Sequence, residues 1–231
     1  MQLISLLGRS KKSHMKRLIN FSFIICFMNS DVLLFFGSHG KGPHNVGNIE
    51  NAEAAIVSIK KTTKTLLNKD IILVIEMTGW QHCRETVELM MSRDKEKARS
   101  IFINTVNYYK DALTIIKRGG NVENPDWATI LMKFGIDNGY LVELEDAKLE
   151  FPWRLLIEFE NEDEVQKDRD ENFVKQIIEL KKNHPNKTII TARGSKHKKW
   201  IPEILTKNNL SYKMFDYKNS PNVFERLKYL R

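Results

Sequence analysis

Three short segments of the chain carry side chains that can bind a metal ion or transfer protons, and each follows an apolar run. The first is a glycine-rich loop with two histidines, His39 and His44. The second holds Glu76, directly after five apolar residues, and the third holds His197, three residues after Gly194. In an open parallel sheet, ligands bind beyond the carboxyl ends of the strands. If the apolar runs are neighbouring parallel strands, these side chains meet at one edge of the sheet.

Two imidazoles and a carboxylate can do two kinds of chemistry. They are a common ligand set for a divalent metal ion, with positions left open for water and substrate. Alternatively, one histidine acts as a general base, oriented by the glutamate, and activates a water molecule for hydrolysis. The predicted metal ligands are His39, His44, Glu76 and His197. The loop residues expected to contact a ligand are Gly37, Ser38 and Gly194.

Two common loop motifs are absent from the first segment. A phosphate-binding loop needs glycine five residues before its second glycine and Ser or Thr after its lysine. Phe35 and Gly42 occupy those positions here. The Gly-x-Ser-x-Gly turn that exposes a nucleophilic serine is also missing around Ser38 and Ser195. The sequence therefore disfavours nucleotide binding through this loop and catalysis by serine.

The elements that must position these residues follow from the order of apolar and amphipathic runs. Short apolar runs alternate with longer amphipathic ones, which predicts an α/β fold with a mostly parallel sheet and helices on both faces. We predict strands at 32–36, 71–75, 140–144, 188–192 and 212–215. We predict helices at 48–67 with Asn48 as N-cap, two within 84–118, and others at 126–134, 170–183, 202–207 and the end of the chain. Residues 31–231 are interpreted as one domain with a helical insertion at about 84–150.

Charge and cysteine content limit the classes of partner. The formal net charge of +8 is uneven, because residues 1–30 carry five basic and no acidic side chains, and residues 193–231 carry ten basic and three acidic ones. No helix-turn-helix, zinc-finger or RNA-binding pattern accompanies this charge, so we interpret it as a solvated lysine-rich face with no specific nucleic-acid partner. Cys26 and Cys83 are too few for a disulfide scaffold.

The first thirty residues form a basic and apolar N-terminal segment. Its apolar run at 18–27 is ten residues long, whereas a helix needs about 20 apolar residues to span a bilayer. The run has the length of a signal-peptide core, although the residues after it lack the usual cleavage pattern. We favour a cytoplasmic location, with export through residues 1–30 as the alternative. Membrane contact is expected, if anywhere, only in this segment.

Several of these motifs together resemble the erythromycin esterase/ChaN/TraB-like superfamily, which includes the metal-dependent Wnt-cleaving proteases of animals. The sequence Gly-Ser-Lys-His at 194–197 matches the Gly-x-x-His loop of that group, and the residues at 200–205 follow it like the family's helix. Glu76 matches the glutamate that ends the second strand, and the pair at 169–170 matches the Arg-Asp that opens a late helix. The first loop is one residue shorter than the pattern, so either His39 or His44 fills its histidine position. The resemblance spans about 32–216.

The resemblance implies a hydrolase that cleaves an ester or amide of a small molecule or peptide with a histidine-activated or metal-bound water. It also implies that Arg169 brings a permanent positive charge to the site, where it pairs with Glu76 or stabilises an oxyanion. The catalytic residues expected on this basis are His39, Glu76, Arg169 and His197. The ChaN branch implies the alternative, a non-catalytic module of the same fold that binds a metal, haem or another small ligand.

Overall fold

A parallel five-stranded sheet organises the chain. The computed structural model describes residues 31–37, 46–77, 94–146 and 162–217. The strands are β1 (Val32–Gly37), β2 (Ile71–Ile75), β3 (Leu141–Leu144), β4 (Thr188–Gly194) and β5 (Tyr212–Asp216). All five predicted strands are confirmed to within two residues at each end. Their β-branched and apolar residues suit a sheet that is covered on both faces.

The strand order is β3-β2-β4-β1-β5, and every neighbouring pair is parallel. Strands that follow one another in sequence are therefore often separated in space: β4 lies between β1 and β2. Parallel strands require crossover connections, and helices supply them here. The predicted α/β fold with a parallel sheet is confirmed.

Five helices cover the sheet in the described part of the chain. They are α1 (Val46–Thr63), α2 (Lys95–Lys117), α3 (Trp127–Asp137), α4 (Glu162–Asn183) and α5 (Ile201–Lys207). The prediction of Asn48 as an N-cap is wrong, because α1 begins two residues before it. The predicted start of α4 at residue 170 is also wrong by eight residues. The first turns of α4 are almost entirely polar, so apolar spacing gave no signal there.

The helices lie on two faces of the sheet, each with its own apolar core. The first face carries α1, α2 and α3, which pack on alternate strand residues such as Leu33 and Phe35. The second face carries α4 and α5, which pack on the residues between them, such as Leu34 and Phe36. This alternation is the period-two pattern of strand side chains. It confirms that helices cover both faces.

The segment expected to be a helical insertion, at about 84–150, is described from residue 94 to residue 146. It contains α2 and α3, and it also contains β3, which forms one edge of the sheet. The N-terminal segment 1–30 and the predicted closing helix lie outside the described residues. In the ranges that the structure covers, no helix is both long enough and apolar enough to cross a membrane.

Gly135 gives a test of the packing between α3 and the sheet. A Cβ atom at this position would lie 2.6 Å from Val142 Cγ2 and 2.9 Å from Leu73 Cδ2. Replacing glycine by alanine inside a helix normally stabilises it by about 0.5–1 kcal/mol. Because of the clash, we expect Gly135→Ala instead to lower the free energy of unfolding by about 1–3 kcal/mol, measured by urea denaturation.

Lys133→Ala on the exposed side of the same helix is the control, and we expect a change of about 0.5 kcal/mol or less. A Gly135→Ala protein more stable than the wild type would show that α3 does not pack this closely on the sheet.

Candidate functional site

At the carboxyl end of β4, the connecting helices change from one face of the sheet to the other. The helices that follow β1 and β2 pack on the first face, whereas α5, which follows β4, packs on the second. Since β4 lies between β1 and β2, a crevice is expected at its carboxyl end, where ligands bind in open α/β sheets. Gly37 pairs with Gly194 at this edge, and Ile75 pairs with Ala192. The residues after these strands therefore begin side by side.

His197 lies in a 3-10 turn just after β4 and is 3% exposed. Its Nε2 is 2.8 Å from Oε1 of Glu76, and its Nδ1 contacts the carboxylate of Asp170. The amide nitrogen of Gln166 donates a hydrogen bond of 3.2 Å to Asp170 and also lies 2.9 Å from Nδ1, where it can donate only to a bare nitrogen. An ionised carboxylate can only accept hydrogen bonds, so the contacts with Glu76 and Asp170 each favour a proton on the ring nitrogen that they meet. This geometry favours an imidazolium held between two carboxylates.

Glu76 meets donor groups from three different elements. Besides His197, its Oε1 is 3.2 Å from an Nη atom of Arg169 on α4. Its Oε2 accepts a hydrogen bond of 3.1 Å from the backbone N–H of Gly194 at the end of β4. The carboxylate is almost fully buried. These charged and backbone donors compensate for its removal from water.

Glu145 is the residue directly after β3, and it extends the network towards this outer strand of the sheet. Arg169 grips it with two hydrogen bonds, from Nε at 3.1 Å and from Nη2 at 2.9 Å. Arg193 of β4 donates a further bond of 2.9 Å to the same carboxylate, and its guanidinium lies 3.9 Å from the ring centre of Phe173. All four side chains are buried.

The network balances its charges. Three carboxylates (Glu76, Glu145 and Asp170) face two guanidinium groups and one imidazole, so the sum is zero only when His197 is protonated. Burial lowers the pKa of His197, but Glu76 and Asp170 outweigh it and raise that pKa above its usual value. Burial raises the pKa of Glu145, but the positive charges of Arg169 and Arg193 outweigh burial and bring that pKa below its usual range. The electrostatics therefore agree with the geometry.

Tyr217 adds a neutral hydroxyl to the same edge. It follows β5 directly, its backbone N–H donates to Phe36 at 3.0 Å, and its ring packs on Gly37. A Cβ atom at Gly37 would lie 2.2 Å from the ring, so only glycine allows this approach. Burial raises the pKa of Tyr217, and the nearby charge of Glu76 raises it further. The phenol is therefore protonated at neutral pH.

Of the residues predicted from the sequence, the structure brings Glu76, Arg169 and His197 together. The expected pairing of Arg169 with Glu76 is present at 3.2 Å. The pair at 169–170 does not open its helix, as the resemblance implies, but lies two turns inside α4. His39, His44 and Ser38 lie outside the described residues, so their roles stay predictions. Gly37 and Gly194 are register neighbours at the same edge.

Sequence reasoning missed four members of the network. Glu145 carried a usable signal, because it follows β3 as Glu76 follows β2. Arg193 carried another, because it is the one basic residue in the apolar strand β4. Asp170 was noted only as a partner in a motif, and Gln166 sits in a polar stretch with no pattern. The positions of Glu145 and Arg193 could be interpreted only once the strands and their order were known.

The described residues do not fit the divalent metal ion that the resemblance implies. Tetrahedral ligands 2.0–2.1 Å from a zinc ion lie about 3.3 Å from one another. Nε2 of His197 and Oε1 of Glu76 are 2.8 Å apart and face each other through a proton. Within the described ranges, no three His, Cys, Asp or Glu side chains are arranged to hold a metal. His39 and His44 lie outside the described residues, so the predicted four-residue metal site stays a prediction.

Several lysines of the C-terminal basic stretch are paired with acids on the surface. Lys198 binds Asp216, Lys199 binds Asp163, and Lys207 binds Glu203 one helical turn away. Pairs this exposed contribute about 0–1 kcal/mol each to stability. They nevertheless neutralise part of the positive charge locally.

Comparison with known proteins identifies no relative: no family model matches the chain, and neither a curated protein nor a solved structure is significantly similar.

The raised pKa of His197 predicts how stability depends on pH. Below the unfolded value of about 6.5 the ring is charged in both states, so the network contributes fully. Above it, only the folded state holds the proton, and stability falls by about 1.4 kcal/mol per pH unit until the folded pKa is passed. We expect urea denaturation between pH 5 and 9 to show this decline.

His197→Gln removes the titrating group and is the comparison. We expect the stability difference between wild type and this variant to shrink as the pH rises above about 6.5. A difference that stays constant or grows over that range would contradict a charged His197.

Proposed function

We propose that this protein is a hydrolase that cleaves an ester or amide bond, with His39 or His44 as the base that activates water. The observation that carries the proposal is the buried imidazole of His197, held between Glu76 and Asp170 at the topological switch point. Perturbed, charge-coupled groups at such a point of an α/β sheet are typical of active sites.

The base is assigned to the first loop because His197 already carries its proton. A protonated ring cannot accept a proton from water, but it can donate one or stabilise developing negative charge. Gly37 begins the first loop beside Gly194, and His39 follows Gly37 by two residues. Two residues of chain reach about 7 Å at most, and this short connection supports a base from the first loop.

Arg169 supplies the second positive charge of the site. It remains charged at any working pH, since burial lowers its pKa but Glu145 and Glu76 outweigh burial and raise it. A fixed cation next to Glu76 favours an oxyanion that forms during acyl transfer. The substrate class that follows is a small-molecule or peptide ester or amide.

Direct binding measurements distinguish the hydrolase from the alternative, which is a non-catalytic module that binds a metal, haem or another small ligand. Within the described ranges, both ring nitrogens of His197 already contact protein carboxylates, so the ring offers no free nitrogen to a metal ion or haem iron. Protein purified without a tag that carries bound metal or haem, and hydrolyses nothing, would favour this alternative over the hydrolase.

The central test is turnover of a panel of p-nitrophenyl esters and peptide amides by the wild type and His197→Ala. We expect the variant to lose about 10²–10⁴-fold in kcat/KM, the range of a positioned acid or base. His184→Ala is the matched control, since His184 lies before β4, at the opposite edge of the sheet, and we expect it to keep wild-type turnover. Unchanged turnover by His197→Ala, or no turnover by the wild type on any member of the panel, would reject the proposal.

His39→Ala and His44→Ala identify the base. We expect one of them to lose activity to the same degree as His197→Ala, and we expect wild-type activity to fall at low pH as the base becomes protonated. If both variants keep full activity while His197→Ala is inactive, the base does not come from the first loop.

A further inference from the structure

We propose that the end of α1 and the turn that follows it bind the surface of a membrane that contains anionic phospholipid. This region, called here the lysine surface, consists of Val57, Lys60, Lys61, Lys64, Leu67 and Lys69. The sequence alone predicts membrane contact only within residues 1–30, so the assignment goes beyond that expectation. It also stands apart from the proposed hydrolase activity, because the lysine surface contains no residue of the candidate functional site.

The lysine surface lies at the amino edge of the sheet. Helix α1 follows β1 and leads to β2, and because all strands are parallel, it runs back to the edge where β2 begins. His197 and Glu76 follow the carboxyl ends of their strands, at the opposite edge. A protein attached through the lysine surface therefore directs its candidate functional site away from the bilayer.

Positive charge is concentrated at the end of α1. Residues 54–70 contain one acidic side chain, Asp70, and four basic ones, which are Lys60, Lys61, Lys64 and Lys69. All four lysines are exposed, and none of them forms an ion pair with another described residue. This distinguishes them from the lysines near the carboxyl edge, which are paired with acids.

Neighbouring elements do not neutralise this charge. The ammonium group of Lys187, in the turn before β4, donates a hydrogen bond of 2.6 Å to the backbone carbonyl of Lys69 and so adds a further cation. Asp31 and Asp137 lie at the same edge of the sheet, but each already pairs with a lysine of its own. The amino edge therefore presents an excess of positive charge to an anionic partner.

Aliphatic side chains stand among the lysines. Leu67 is 62% exposed and Val57 is 60% exposed. Val57 shares one face of α1 with Lys60 and Lys61, at the spacing i, i+3 and i+4, and Lys64 continues that spacing just after the helix ends. Cationic and aliphatic groups are thus presented side by side.

This combination favours a membrane over a nucleic acid. A bilayer offers anionic headgroups to the lysines and, directly beneath them, acyl chains to the aliphatic side chains. A nucleic acid offers phosphates to the lysines but has no apolar layer beneath its phosphates. Attachment of this kind is peripheral, and it requires no helix that crosses the bilayer.

The test is cosedimentation of the full chain with vesicles of phosphatidylcholine alone and of phosphatidylcholine with about 30% phosphatidylserine. We expect the wild type to bind the mixed vesicles at least about tenfold more tightly than the neutral ones. Raising the salt from about 0.1 M to about 1 M should release the protein, because the screening length falls from about 10 Å to about 3 Å.

Two variants locate the binding surface. We expect Lys61→Gln combined with Lys64→Gln to weaken binding to mixed vesicles about 30-fold, since each lysine near an anionic surface contributes about fivefold. Lys110→Gln combined with Lys175→Gln is the matched control. These two lysines lie on α2 and α4, are equally exposed and without an ion pair among the described residues, and their removal changes the net charge by the same amount. We expect this control to stay within about twofold of the wild type.

The aliphatic contribution has its own pair of variants. We expect Leu67→Ala to weaken binding to mixed vesicles about three- to tenfold, because its methyl groups no longer reach the acyl chains. Ile103→Ala is the control, since Ile103 is also exposed, at 44%, but lies on α2. We expect it to bind as the wild type does.

A wild type that does not bind mixed vesicles, or binds both kinds of vesicle equally, would overturn the inference. So would equal weakening in both double-lysine variants, because net charge alone would then explain the binding. Wild-type binding by the Lys61→Gln, Lys64→Gln protein would place the contact elsewhere, such as in residues 1–30, and would reject the lysine surface. Tighter binding to duplex DNA or RNA than to vesicles, lost in the same variant, would assign the surface to nucleic acid and reject the membrane.

Discussion

A buried, charge-balanced network at the carboxyl edge of the sheet is the constraint on which the rest of the structure depends. Glu76, Glu145 and Asp170 are each removed from water, and none could remain ionised there without a cation beside it. Arg169, Arg193 and a protonated His197 provide those cations. Because breaking a buried pair costs about 3–5 kcal/mol, the network ties the ends of three strands to helix α4. The same interactions that hold these elements together also set the charge of the imidazole.

The topology explains why the network forms where it does. Strand β4 lies between β1 and β2. The connection after β4 leads to a helix on one face of the sheet, whereas the connections after β1 and β2 lead to helices on the other face. A ligand site is expected at the carboxyl ends of strands arranged in this way. Side chains that follow these strands meet there although they are separated by more than a hundred residues in sequence. The short contact between Gly37 and Tyr217 brings β5 to the same edge.

The sequence predicted the strands well because five short β-branched runs are bounded by polar residues, and it predicted that Glu76 and His197 follow such runs. It could not supply the strand order, which decides that β2 and β3 bring Glu76 and Glu145 to one side of Arg169. The first turns of α4 are polar, so apolar periodicity could predict neither the start of that helix nor the burial of Arg169. The pairing of Arg169 with Glu76 was expected from a family resemblance, whereas the role of Arg193 followed only from its contacts.

The central claim is that the imidazole of His197 is a buried cation shared by Glu76 and Asp170. The most direct measurement is the ¹⁵N NMR spectrum of the His197 ring in the wild-type protein at pH 7 and above. The account predicts that both ring nitrogens are protonated at pH 7 and that the second proton is released only at a pH above the ordinary value of about 6.5. A neutral ring at pH 7, with one nitrogen bare, would contradict the account.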